Sequence, residues 1–207
     1  RPDDYMGDLE TWEMAEGALK AALEKKNMPY KINPGDGAFY GPKIDFHLQD
    51  AIGRDWQCGT IQLDMQMPVN FDLTYIDANN ERKRPVMLHR AMFGSIERFL
   101  GILIEHFAGK FPLWMAPVQV EVIPVSEKTN EYAQKVYEEL KNKGFRVEID
   151  TRNSQMGAKI RDAQMRKINY MLILGEKERD NGSISVRTRN NENINDIKLD
   201  KFMEDLS

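Results

Sequence analysis

The spacing of apolar and polar residues changes several times along this chain, and each change marks an element. Leu9, Trp12, Ala15, Leu19 and Leu23 recur at three- and four-residue intervals. That predicts a helix over residues 9–27 with these side chains towards a core, ended by Met28-Pro29. INPGDGAFYGP is rich in Gly and Pro and reads as a loop. Apparent strands follow at 43–49, 55–65, 71–76 and 85–92, with DANNERK as the turn between the last two. Strands that succeed one another without crossover helices imply an antiparallel sheet. In the last of them Val86, Leu88 and Arg90 alternate with Met87, His89 and Ala91, so His89 and Arg90 take opposite faces. After Gly94 and Ser95 the period lengthens, and Ile96, Phe99, Leu100, Leu103, Ile104 and Phe107 form one stripe of a helix that would cover a face of the sheet.

The rhythm differs beyond GKFPLWMAP, where Pro112 and Pro117 flank an aromatic linker. Strand, helix, strand, helix and strand are predicted at 118–125, 127–144, 145–150, 156–168 and 170–175. SISVRTRN then suggests a further strand, and residues 196–206 a closing helix. Such alternation predicts an α/β sandwich with a mostly parallel sheet. The pattern divides the chain into domains 1–112 and 113–207.

Three local features interrupt this regularity. Ser95 is a good N-cap and Glu97 suits the positive end of the helix, but Arg98 is a cation where the dipole disfavours one unless an anion lies nearby. In the strand over 55–65, alternation sets Trp56, Cys58, Thr60 and Gln62 against Gln57, Gly59, Ile61 and Leu63. Gln57, Thr60 and Gln62 are neutral donors and acceptors that either meet a polar ligand or mark an edge strand with a wet face. FYGPKIDF either aims Tyr40 and Lys43 at something or is a plain turn followed by a strand.

Composition narrows the choice of chemistry. Of 207 residues, 41% are hydrophobic and 30% charged, which excludes wholesale disorder, and no apolar run is long enough to span a membrane. The single cysteine, Cys58, excludes an internal disulfide and points to a reducing, cytoplasmic setting. A net charge of −4 argues against indiscriminate coating of nucleic acid. Residues 141–167 nevertheless carry eight basic and three acidic side chains, either a solvated face or a polyanion contact. Walker, dinucleotide, HExxH and Cys-x-x-Cys motifs are absent, and Ser95 lies in no nucleophile elbow. His89, one of three histidines, reads from the residues alone as a hydrogen-bonded strand residue or a metal ligand. A structural metal protein built on His89 and Cys58 lacks enough ligands.

Four segments, GAFYGPKIDF, RDWQCGTIQLD, RPVMLHRAMFGSIERFLGILIEH and FPLWMAPVQV, together resemble the threonyl-tRNA synthetase family, in its order and over nearly the whole chain. GSIERF resembles the third signature motif of class II synthetases, whose arginine holds an ATP phosphate. The resemblance implies an α+β fold: part of an antiparallel class II catalytic core, then an α/β anticodon-binding domain with a mostly parallel sheet. It implies an ATP site of Gln57, Thr60, Ser95 and Arg98, with Arg98 and Lys43 catalytic, and contacts from Tyr40 and Gln62 to the amino acid. His89 would be one ligand of a Zn2+ ion that recognises threonine, and ATP would enter with Mg2+. Asn153, Glu178 and Arg187 would contact the anticodon of threonine tRNA. A homodimer is implied as well. The family's first two class II motifs, its other zinc ligands (a cysteine and a histidine) and its editing and N-terminal domains would precede residue 1. Met65 stands where an aromatic is common and Asn169 where proline is common. A non-catalytic RNA-binding protein of this fold and a prolyl-type synthetase are the competing readings. Gln57, Thr60, Ser95, Arg98 and His89 speak against the first, and His89 in MLHRA against the second.

Overall fold

Helix α1 (Leu9–Lys25) starts where the chain offers an acceptor: the Asp8 carboxylate takes the Thr11 N–H at 2.8 Å and the Thr11 hydroxyl at 2.9 Å. The computed structural model describes residues 1–206 and divides into two units, Arg1–Ile102 and Leu103–Ser207. Only Trp12 and Ala15 of α1 are buried, so its inward face is narrower than the periodicity suggested, and Leu9 is exposed.

In the first unit, β1 (Lys43–Gln49) and β2 (Asp55–Asp64) pair antiparallel. A short helix α2 (Met67–Asn70) and the two-residue strands β3 (Tyr75–Ile76) and β4 (Arg82–Lys83) follow. Strand β5 (Met87–Ala91) then returns antiparallel to β2, giving the order β1-β2-β5. The strand expected over 71–76 shrinks to Tyr75–Ile76, because Asp72 is left-handed (φ 48°) and the Leu73 N–H closes a turn on Pro68. Helix α3 (Ile96–Phe107) forms as its period predicts, and Phe99 stacks on Phe93 at 4.5 Å. None of its residues is fully buried: Phe99, Ile102, Leu103 and Phe107 form a half-buried stripe, while Ile96, Leu100 and Ile104 stand exposed.

The second unit runs β6 (Val120–Pro124), α4 (Asn130–Asn142), β7 (Val147–Ile149), α5 (Met156–Met165), β8 (Tyr170–Leu174), α6 (Glu176–Asn181), β9 (Ile184–Thr188), β10 (Asn193–Ile197) and α7 (Leu199–Leu206). Its sheet has the order β10-β9-β8-β6-β7, with β6 parallel to both neighbours and β8, β9 and β10 successively antiparallel. Alternation divides the strands. Val120, Val122, Leu172, Leu174, Ile184 and Val186 pack with Ala133, Val136 and Leu140 of α4 and with Phe202 and Met203 of α7. Ile123 and Met171 face the other way, against Ala163 of α5 and Ile168. Two elements were illegible in the pattern. Helix α6 is too short to show a period, and β10 occupies residues 193–197, so the closing helix begins at Leu199 and not at 196.

Candidate functional site

Registers place the polar residues of the first unit in rows. Lys43 lies opposite Gln62, and Gln62 opposite His89; Asp45 lies opposite Thr60, and Thr60 opposite Ala91. Residues paired across strands share a face, so Lys43, Asp45, Thr60, Gln62, Asp64 and His89 all stand on one side of the sheet. Tyr40 joins them from the preceding loop, its ring edge-on to His89 at 6.2 Å. Gly41 makes that approach possible: a Cβ there would sit 1.8 Å from the Leu63 carbonyl oxygen.

Strict alternation had put Gln57 and Thr60 on opposite faces, and the structure corrects this. The register jumps from Phe46–Gly59 to His47–Gln57, leaving Cys58 as an extra, buried residue of a bulge. The bulge turns Gln57 onto the Thr60 side, where both meet Asp45. The Asp45 Oδ1 atom accepts from Gln57 Nε2 and from Thr60 Oγ1, each at 2.7 Å, and Oδ2 lies 2.7 Å from Lys43 Nζ. Gln57 Nε2 also donates to Thr60 Oγ1 at 3.3 Å. Burial alone would raise the Asp45 pKa, but the hydrogen bonds from Lys43, Thr60 and Gln57 outweigh it and hold the group ionised below its usual range. Its partner Lys43 is pushed up, chiefly by the bond to Asp45.

A second carboxylate lies under His89. Asp64 is fully buried, accepts the N–H groups of Gln66 and Met67 at 2.9 Å each, and meets His89 Nε2 at 2.7 Å. Burial would raise Asp64, yet the bonds from Met67, His89 and Gln66 win and lower it. An ionised Asp64 only accepts, so it draws the proton of His89 to Nε2 and leaves Nδ1 as an acceptor or metal ligand. That is the way metal-binding histidines are commonly held. Among the described residues no group of three His, Cys, Asp or Glu could hold a metal ion, so His89 fits a site as one ligand of several.

Ser95 and Arg98 open α3. The Arg98 N–H donates to Ser95 Oγ at 3.3 Å, and that hydroxyl donates to Glu97 at 2.7 Å. Gly94, at φ 63°, brings this start close to the bulge, since a Cβ on it would lie 3.6 Å from the Gln57 carbonyl oxygen. Arg98 is exposed, and among the described residues no carboxylate pairs with its guanidinium. Gln57, Thr60 and the α3 start thus form one neighbourhood, while Tyr40, Lys43, Gln62 and His89 form the adjoining one. Asp45 and Asp64, which anchor them, gave no signal in the sequence beyond being acids in strands.

In the second unit Glu178 and Arg187 lie on related ground. Glu178, in the first turn of α6, accepts the Gly175 N–H at 2.9 Å and the Ser185 hydroxyl at 2.8 Å. Burial opposes its charge, but these bonds keep its pKa lowered. Arg187 follows Ser185 on the same face of β9 and bonds Asn191 at 3.0 Å; its Nε is buried without a partner. Asn153 is exposed in the loop from β7 to α5, at the sheet edge where β6, β7 and β8 all end.

Four of the eight basic side chains at 141–167 are already held within the chain. Arg152 is bound to Asp150 and Asp162, Arg166 to Glu148, and Arg146 to the carbonyls of Leu113, Trp114 and Ala116. Lys159 is 5% exposed and donates to the carbonyls of Pro124 and Asp150 at 3.3 and 3.0 Å. Charges already answered within the chain contribute little to a phosphate contact.

Comparison with known proteins agrees with both halves. Residues 4–107 match the tRNA synthetase class II core domain (G, H, P, S and T), and residues 119–207 the anticodon binding domain. A threonine–tRNA ligase from Caldanaerobacter subterraneus subsp. tengcongensis is 59% identical over 99% of this chain and 32% of its own length. One from Clostridioides difficile is 58% identical over the whole chain, again 32% of its length. A crystal structure titled as the RNA binding domain of a threonyl-tRNA synthetase from Cryptosporidium parvum superposes with a TM-score of 0.92, at 44% identity over 99% of this chain and 52% of that one. The chain therefore spans about a third of the length of the curated relatives it matches. It belongs to the class II tRNA synthetase family, as part of the catalytic core followed by an anticodon-binding domain.

Proposed function

We propose that this chain is part of a threonine–tRNA ligase, with residues 1–112 the C-terminal part of the catalytic domain and 113–207 binding the anticodon. The observation that carries the reading is the single sheet face bearing Lys43, Gln62 and His89, joined by Tyr40 and set beside Gln57 and Thr60, with the start of α3, which carries Arg98, close to Gln57. Identity of 58–59% to curated threonine–tRNA ligases over nearly the whole chain supports it.

In the reaction a threonine carboxylate oxygen attacks the α-phosphorus of ATP and pyrophosphate leaves. A ribose hydroxyl at the tRNA terminus then attacks the acyl carbon and AMP leaves. Arg98, at a helix start, meets phosphate oxygens with both its guanidinium and the helix dipole. Gln57, Thr60 and Ser95 line the nucleotide, Tyr40 and Gln62 hold the amino acid, and Lys43 stands by the reacting groups. His89 supplies one ligand of a Zn2+ ion, with the rest coming from outside these 207 residues. The bound ion would take the amino and hydroxyl groups of threonine and so exclude valine, whose methyl cannot replace the hydroxyl. ATP enters with Mg2+. Asn153, Glu178 and Arg187 face the anticodon, where polar side chains suit the edges of unstacked bases. The full-length protein works as a cytoplasmic homodimer.

The test is threonine-dependent ATP–pyrophosphate exchange by the full-length protein. Arg98→Ala is expected to slow it by about 10²-fold or more while the fold persists, since losing a cation from the first helical turn relieves a dipole conflict. Exchange near the wild-type rate in a folded variant would remove Arg98 from the phosphate site.

A further inference from the structure

One side chain on the sheet face gathers three donors and yet has no task in the proposed roles. Asp45 lies beneath Gln57, Thr60 and Lys43 and receives a hydrogen from each, all at 2.7 Å. We infer that Asp45 is the positioning residue of the nucleotide site: its carboxylate draws these hydrogens to itself and leaves the Gln57 side-chain carbonyl turned outward, to accept from a hydroxyl or amine of the nucleoside.

A carboxylate only accepts, so the one hydroxyl hydrogen of Thr60 is committed to it. Gln57 has two amide hydrogens; one goes to Asp45 and the other to Thr60 Oγ1 at 3.3 Å. Both Gln57 donors are spent inside the network, and its oxygen is the free end. Lys43 binds the other carboxylate oxygen, with Asp36 3.5 Å away, so Asp45 cannot rotate without breaking an ion pair. The side chain of Asp45 is only 12% exposed, which shields these bonds from competing water. Its ionised state is favoured by the same partners.

Asparagine at position 45 has the same shape but fails the count. Lys43 holds the Asn oxygen, so the Asn amide hydrogens face Gln57 and Thr60. Gln57 must then flip, turning its NH₂ group outward and presenting a donor where the ligand also brings a donor.

The inference rests on the proposed ATP site, and the experiment separates the two. Exchange is measured in the full-length protein with ATP, 2′-deoxy-ATP, 3′-deoxy-ATP and purine riboside triphosphate, which lacks the base amine. In the wild type, one of the three analogues is expected to lose about tenfold or more in kcat/KM, the size of one hydrogen bond left unmade. Which one it is tells a ribose hydroxyl from the base amine. Asp45→Asn is expected to raise KM for ATP about tenfold and to shrink that penalty to within about twofold. The ratio is taken within each variant, so it does not depend on the active fraction. Should Asp45→Asn fail to fold, Gln57→Met removes the carbonyl that Asp45 orients and is expected to shrink the penalty likewise. A penalty retained in full by the variant, or absent from the wild type, overturns the role of Asp45. Unchanged KM for ATP in Gln57→Ala overturns instead the ATP-site reading beneath it.

Discussion

Lys159 separates two accounts of the basic segment in the second unit. As a phosphate contact it would be solvent-facing; in the structure it is 5% exposed and ties the ends of β6 and β7 through the carbonyls of Pro124 and Asp150. Replacing it with alanine leaves two carbonyls without their donor, at roughly 1–3 kcal/mol each, offset by no longer burying an ammonium group. The lost methylenes add a cavity cost, for a total of about 2–4 kcal/mol. Amide hydrogen exchange at Val122 and Leu172, in the centre of that sheet, reads this unit by itself. Protection there is expected to fall by about 30- to 900-fold, the equivalent of that energy. The salt dependence of binding to threonine tRNA is expected to keep its slope. Unchanged protection together with a slope shallower by about 0.7–0.9, the loss of one phosphate contact, would refute the reasoning.

Arg187→Ala is expected to weaken aminoacylation of threonine tRNA by roughly 1–3 kcal/mol and to leave threonine activation untouched, because the side chain lies in the second unit and Arg98 in the first. An equal penalty on a tRNA with an altered anticodon would make Arg187 an electrostatic contact and end its base-reading role. For the metal, the proposed function makes His89 one ligand where a site needs three or four, so the 207-residue chain is expected to hold zinc weakly and the full-length protein stoichiometrically. Chelator-resistant zinc in the short chain would show that its ligands lie elsewhere.

Periodicity carried most of the fold because most elements bury one clean face. Helix α4 shows it: Ala133, Val136 and Leu140 are the buried positions, at three- and four-residue spacing. It failed where local chemistry, not burial, sets the structure. Helix α6 has no buried residue and is held by Glu178 on the Gly175 N–H, a capping bond that leaves no hydrophobic trace. The bulge at Cys58 is one residue in a strand of otherwise regular alternation, and it reversed the expected side of Gln57. At the site, Asp45 and Asp64 were invisible because an acid in a strand ordinarily marks the wet face. Here both point to the polar face but lie low on it, and registers across three strands are needed to see what they hold. Lys159 misled for the converse reason: a lysine in a basic run looks solvated until its ammonium is seen to bond the carbonyls of Pro124 and Asp150.

The disposition of charge across the first unit bears on why Arg98 is tolerated. Asp45 is spent on Lys43, Gln57 and Thr60, and Asp64 on His89 and two backbone N–H groups. Neither carboxylate faces outward as a free anion. Ser95 and Glu97 satisfy each other at the start of α3, which leaves the Arg98 guanidinium without a carboxylate partner among the described residues. A cation in that turn costs about 0.3–1 kcal/mol in the apo protein. A nearby Asp or Glu could have relieved the cost, and would then compete with any incoming anion for the same fork of donors. Under the proposed function the polyphosphate of ATP supplies the missing anion, and the small apo penalty returns as binding energy. The acids of this face are therefore sunk beneath it as positioning groups, where they order donors and acceptors without repelling a substrate that is itself negatively charged.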